Sequence, residues 1–341
     1  MTKKMMIRIM KVNRNNFKII LTATCLLFVS AVFAQNTKKP WVTLCNGTMT
    51  FMYGYKPSTP SIVSCPKCGK RTSYNNYCSN CGSSIKKDFV VYEVPMSVQT
   101  SDLDLDYSDK NTDALAKVIS KIPWSRRMEG IRKVVFDPSF RQVTTITSTT
   151  CWFSSGKDDS QLTSISGLEY LNTSNVKYMG GMFAGCDKIK SVNVSHFQTS
   201  PVKEMWSMFA GCEKLTSLNL SNFDTRNVVS MAKMFSFCES LTSLNLSSFN
   251  TGNVWNMWGM FEYNENLTSL DLTHFNTRNT SVMIQMFEGC KKLTRLYVSS
   301  TGWDLRRAKA NKKIEQYVLI TPREDGVDDM FLLCPAKIIK R

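Results

Sequence analysis

A Met-Phe pair returns every 26 residues through the second half of this 341-residue chain: Met182-Phe183, Met208-Phe209, Met234-Phe235, Met260-Phe261 and Met286-Phe287. A fixed period of this length marks stacked repeats and argues against an enclosed globular core. One unit cannot bury its own apolar face, so its neighbours complete the core. Other columns keep the same register. Leu218 aligns with Val192, Leu244, Leu270 and Leu296, and Leu220 with Val194, Leu246, Leu272 and Val298. Phe223, Thr225 and Met231 recur likewise, and Cys238 aligns with Cys186, Cys212 and Cys290, with Asn264 in the remaining unit.

The columns predict local structure. Leu218 and Leu220 alternate with Ser217, Asn219 and Ser221, the period of a half-buried strand. Val228, Met231 and Phe235 stand three and four apart, which is helical spacing, and Thr225 stands where a helix N-cap is wanted. Each unit therefore reads as a short strand, a turn, a short helix or 3₁₀ segment and a return loop. The predicted fold is an α/β repeat solenoid of leucine-rich-repeat type. Residues 35–150 lack the period and read as a β-rich N-terminal cap, and residues 151–300 are the array. Residues 301–341 read as a degenerate capping repeat, because Met330-Phe331 and Cys334 restate the motif 44 residues after Met286. The charged stretch at 303–328 interrupts that repeat, and its role is left open.

The string L-x-S-L-x-L-S-x-F-x-T-x-x-V-x-x-M-x-x-M-F-x-x-C resembles the BspA-like leucine-rich-repeat surface proteins of bacteria. Val42–Gly54 resembles that family's opening strand pair, Ile131–Phe140 its strand before the repeats, and Ile165–Met179 its first repeat. The resemblance implies a secreted or surface-exposed protein that adheres to host proteins or to other cells. The periodicity by itself implies only stacking.

The first 34 residues read as a secretory signal peptide. Six Lys and Arg with no acid accompany an apolar run from Ile19 to Ala34 that ends in Val32-Phe33-Ala34. Cleavage after Ala34 is expected. Lipidation at Cys25 after Thr24 and an uncleaved anchor are the alternatives. Loss of the segment lowers the formal charge of +16 by its six basic residues to +10. That charge favours loose contact with acidic surfaces without specifying a partner. No second apolar segment predicts a membrane span in the mature chain, which is expected to be a monomer with no nucleic-acid role.

Four of the 12 cysteines form a local constellation, Cys65-x₂-Cys68 and Cys78-x₂-Cys81, each pair followed by Gly69 or Gly82. Two such knuckles aim four thiolates at one tetrahedral point, the layout of a structural zinc ribbon. One zinc per chain is the expectation at residues 61–85. Two disulfides, or a ribbon that has lost its metal, are the competing readings in an oxidising compartment. The periodic cysteines read as buried free thiols, because Asn and Cys interchange where a side chain hydrogen-bonds loop backbone. Whether Cys45 and Cys151 pair is not readable.

The two histidines, His196 and His274, stand three units apart in one exposed slot, and no nucleophile, base or phosphate-loop motif accompanies them. Asp102, Asp104 and Asp106 lack the Gly and Glu of a calcium loop. The chain thus reads as non-enzymatic. Two surfaces qualify for binding. The strands present Asn193, Asn219, Asn245 and Asp271 in one row, beside serines, which is equally the make-up of a plain solvated sheet. Trp206, Trp255 and Trp258 occupy slots that are small or polar in other units, either as binding anchors or as covers for the neighbouring unit. Host or bacterial surface macromolecules are the expected partners. A carbohydrate-binding or enzyme-accessory module using the Trp face is the alternative.

Overall fold

The computed structural model describes residues 38–45, 47–54, 56–57, 62–64, 71–73, 90–97, 118–154, 160–304, 330 and 334–340. The signal-peptide segment, Cys65, Cys68, Cys78, Cys81, the Asp102–Asp106 run and residues 305–329 lie outside them.

At the N-terminal end, β1 (Lys39–Cys45) and β2 (Thr48–Gly54) form an antiparallel hairpin whose two-residue loop places Gly47 at φ +72°. Glycine tolerates that left-handed conformation without a Cβ clash. β5 (Val90–Glu93) pairs with β1, while β6 (Lys133–Phe136) runs parallel to β2 and β7 (Ser164–Ser166) parallel to β6. The sheet order is β5-β1-β2-β6-β7. β3 (Ile62–Ser64) and β4 (Arg71–Ser73) form a separate antiparallel pair. The sheet covers an aromatic core in which Phe51 stacks on Phe136 at 4.4 Å and on Trp152 at 5.2 Å, with Phe140 and Trp124 edge-on. Phe153 meets Phe183 of the first unit at 5.5 Å, so cap and repeats share one core.

Successive units are joined by single parallel bridges, Ser148–Tyr178, Tyr178–Glu204, Glu204–Ser230, Ser230–Asn256 and Asn256–Val282. Between residues 191 and 246 the Leu218 and Leu220 columns form no regular strand. They become paired strands at β8 (Ser269–Leu272), β9 (Arg295–Val298) and β10 (Lys337–Lys340), which run parallel. Inside, the Met-Phe rings stack. Phe183, Phe209, Phe235, Phe261 and Phe287 follow one another at 5.4, 5.9, 5.8 and 5.6 Å, with neighbouring planes within 8°. Phe223, Phe249 and Phe275 form a second column at 6.4 and 6.5 Å. The column methionines fill the space between with near-zero exposure.

The expected helix is absent from these units. Each Met-Phe segment is a chain of tight turns, as in Met182 N–H to Met179 C=O, Ala184 to Gly181 and Cys186 to Phe183. The intervening amides reach forward. Met179, Gly181, Phe183 and Gly185 donate to the carbonyls of Glu204, Trp206, Met208 and Ala210 in the next unit, and later units repeat the pattern. An N–H committed to the next unit is not free for the i−4 carbonyl, so helical spacing of apolar residues here yields turns. In this ladder these donors lie in the earlier unit, while at the start of each segment an amide donates back, as Lys203 N–H does to the Lys177 carbonyl. Two devices close its ends. The Trp124 indole N–H donates to the buried carbonyl of Trp152 at 2.8 Å. Phe287 N–H donates to the carbonyl of Met330, 43 residues on, as Phe261 N–H does to Met286.

Thr225 is not an N-cap either. Its hydroxyl accepts from Asn250 N–H and donates to the Asn250 carbonyl, both at 2.8 Å. Thr199 and Thr251 bridge to their next units in the same way. The cysteine column does what the Asn/Cys exchange implies. The Cys186, Cys212, Cys238 and Cys290 thiols donate to the carbonyls of Phe153, Phe183, Phe209 and Phe261 at 3.6, 3.3, 3.1 and 3.0 Å. Asn264 makes the equivalent bond to Phe235 at 2.7 Å. All are free thiols, and burial pushes Cys212 and Cys290 up to about 12, so they remain protonated donors. Cys151 is also a buried free thiol.

Candidate binding surface

The geometry separates the proposed surface residues. Asn193, Asn219, Asn245 and Asp271 are exposed, and each turns its Oδ1 back to accept from the backbone N–H two residues on: Ser195, Ser221, Ser247 and Thr273 at 3.0–3.1 Å. These are Asx-turns that bend the chain off the strand column. The row is therefore structural at its oxygens.

The three tryptophans part company. Trp206 is 5% exposed, and its indole lies flat over Gly180, where a Cβ would overlap the ring. Its N–H donates to Glu204 Oε2 at 3.2 Å. It covers the neighbouring unit and is no outward anchor. Trp255 is outward, at 40% exposure. Trp258 is half-buried, with its N–H on Gln285 Oε1 at 2.7 Å and the Lys233 ammonium 4.2 Å from its ring centroid. That ammonium also lies 3.5 Å from Glu262 Oε2.

Beside Trp258 the structure places two aromatics that periodicity reasoning passed over. The fifth position of each turn segment is left-handed: Gly185, Gly211, Phe237, Tyr263 and Gly289 have φ of 72°, 69°, 56°, 54° and 67°. Phe237 and Tyr263 stack at 4.7 Å with planes 16° apart. The Tyr263 hydroxyl donates to Glu288 Oε1 at 3.1 Å. Burial raises the Tyr263 pKa, and the Glu288, Glu262 and Glu265 carboxylates raise it further, so the phenol stays a donor. The signal was available in sequence: two large rings stand in a column that is otherwise glycine.

The histidines come no closer to a shared site. His196 is partly buried edge-on to Phe197, with burial lowering its pKa, and His274 is exposed beside Thr273, three units further on. No helix among the described residues is long and apolar enough to cross a membrane.

A family model described as a Mycoplasma protein of unknown function, DUF285, matches residues 152–245 and 216–317. No curated protein matches the chain. A similar solved structure is a leucine-rich cell surface protein from Faecalibacterium prausnitzii A2-165, at 14% identity and a TM-score of 0.33, over 77% of this chain and 54% of that one. The chain thus spans about half the length of that protein.

Proposed function

We propose that this chain is an exported, surface-exposed, non-enzymatic solenoid of leucine-rich-repeat type that binds macromolecules of host or bacterial surfaces. One observation carries the reading. The apolar columns that repeat faithfully are buried, while a slot that varies from unit to unit faces outward. Met182, Met208, Met234, Met260 and Met286 are fully buried. The slot held by Lys177, Lys203, Val229, Trp255 and Ser281 is exposed or partly exposed throughout. A constant interior with a variable exterior is how a stack presents many chemistries on one frame.

The test is binding of the intact protein to bacterial and epithelial cells and to immobilised matrix proteins as salt rises. Contact driven by net charge collapses once the Debye length falls below about 8 Å. A saturable fraction that survives is expected, resting on aromatic anchors and ordered hydrogen bonds. Complete loss with salt contradicts a recognition surface on the units.

The ribbon belongs to the same reading as a structural staple. Its support is the spacing Cys65-x₂-Cys68 and Cys78-x₂-Cys81, which is that of paired zinc knuckles. Metal analysis is expected to give one zinc per chain, lost in Cys65→Ser with the repeats still folded. Oxidised sulfurs at Cys65, Cys68, Cys78 and Cys81 in native protein contradict it.

A further inference from the structure

We propose that Cys290 and Cys334 are a disulfide pair, closed in an oxidising compartment, that staples the C-terminal strand β10 to the unit before it. The compartment is the one the surface reading above assigns, and the proposal rests on that reading. The structure holds the pair as two thiols.

The first argument is position. Cys334 lies between two points tied to the unit that carries Cys290. Before it, the Met330 carbonyl accepts from Phe287 N–H, as the Met286 carbonyl accepts from Phe261 N–H. After it, β10 runs parallel to β9 with Lys337 opposite Arg295, and Lys337 N–H donates to the Thr294 carbonyl. Cys334 follows Met330 by four residues, as Cys290 follows Met286. The two cysteines are thus set one step apart along the stack. Burial raises the Cys290 pKa, and a charge on Cys334 is near enough to raise it further. One step measures 5.4–5.9 Å at the ring column. A disulfide spans about 4.4–6.8 Å between Cα atoms.

The second argument is what frees this pair and not the others. A column thiol that turns toward a partner gives up its bond to a phenylalanine carbonyl. At Phe153, Phe183 and Phe209 the cysteine thiol is the side-chain donor. The Phe261 carbonyl accepts from Cys290 at 3.0 Å and also from Asn264 Nδ2 at 2.8 Å, so it stays satisfied when Cys290 turns away. Asn264 also interrupts the column, which leaves Cys334 as the neighbouring thiol of Cys290. Access separates the pair again. Cys186, Cys212 and Cys238 are at most 2% exposed, whereas Cys334 is partly exposed and can meet an oxidant. Burial raises the Cys334 pKa, opposed by the Ala336 N–H on its sulfur.

The third argument is need. β10 has four residues, three of them exposed, so burial holds it weakly. Cys290 and Cys334 stand 44 positions apart, and the entropy that a cross-link removes from the unfolded chain grows with the loop it closes. The oxidant is a disulfide, either that of a thiol oxidase or oxidised glutathione. The Cys334 thiolate attacks one of its sulfurs, and the other leaves as thiolate. Cys290 then loses its proton and attacks the Cys334 sulfur, which forms the intramolecular bond and releases the second oxidant thiolate. Two electrons and two protons pass from the cysteines to the oxidant.

The test uses the intact protein in two preparations. Protein collected outside the producing cells is alkylated without reduction, digested and mapped by mass spectrometry. A peptide pair joined through Cys290 and Cys334 is expected, with Cys186, Cys212 and Cys238 alkylated. Purified protein is also reduced, freed of reductant and incubated with excess oxidised glutathione, and the same pair is expected. Cys334→Ser is expected to melt roughly 5–10 °C below the oxidised wild type, and the gap is expected to close when both are reduced. The proposal is overturned if glutathione leaves Cys290 and Cys334 unjoined, if exported protein carries both as thiols, or if the melting gap persists under reduction. A pair that forms with glutathione while the chain is retained inside its cells upholds the pairing and contradicts the export reading.

Discussion

Phe235→Ala is expected to destabilise the protein by about 3–5 kcal/mol, the range for deleting a fully buried aromatic ring. Phe235 has no exposure and lies between Phe209 and Phe261 at 5.9 and 5.8 Å, with Phe249 tilted against it at 6.4 Å. Truncation opens a cavity in the middle of the ring column, and the turn ladder prevents its collapse. Phe209 N–H, Phe235 N–H and their partners hold the units at a fixed spacing through bonds of 3.0 Å to Met234 and Met260. The loss reads out as a lower urea midpoint with an unchanged slope. Phe237, two residues on and partly exposed, provides the internal contrast: Phe237→Gly at the same temperature should cost nothing. A cost below about 1 kcal/mol at Phe235 contradicts the stacked interior, since that is less than the ring's own transfer free energy.

Much of this architecture was legible in the chain because stacking repeats each physical demand once per unit. Leu220, Met231, Met234 and Phe235 recur where a side chain must be buried, and the structure buries all four. The thiol column was legible for the same reason. Asn264 in place of cysteine betrayed a hydrogen bond to backbone, and that bond is present in all the units concerned. The turn segment was misread because periodicity reports which side chains are buried and not where the amides point. Val228, Met231 and Phe235 have helical spacing, yet Phe235 N–H goes to Met260 in the next unit. Thr225 was misread likewise, since a hydroxyl that satisfies backbone across an interface has the composition of a cap.

Two further features escaped for identifiable reasons. Trp152-Phe153 occupies the Met-Phe slot ahead of the first recognised pair, with Phe153 N–H donating to the Met182 carbonyl. Its spacing of 30 residues to Met182-Phe183, together with Trp in place of Met, hid it from a search at period 26. The surface was harder still. Trp206 and Trp258 stand one above the other at equivalent positions two units apart, yet one is buried over Gly180 and the other bridges Lys233 and Gln285. What separates them is the size of the residue in the adjoining unit, a pairwise property that no single column displays. Phe237 and Tyr263 became informative only once their column was known to be left-handed.

The central claim, that 26 residues form one physical unit stacked on its neighbours, is tested most directly by a pair of deletions. Removal of Leu215–Ser240 joins Lys214 to Leu241 and leaves every column in register. Phe209 then meets Phe261, and the forward amide ladder can close from one unit to the next. Removal of Leu215–Asn227 takes out half a unit and joins Lys214 to Val228, setting turn segment against strand column. Rings, thiols and bridging threonines then face the wrong partners, and nearest-neighbour coupling, which supplies the stability of a stack, is lost at that interface. Urea unfolding followed by circular dichroism is expected to show a cooperative transition with a smaller slope for the 26-residue deletion, since less surface is exposed on unfolding. The 13-residue deletion is expected to show no cooperative transition for the array. Equal cooperativity in the two proteins, or loss of folding in both, contradicts the account.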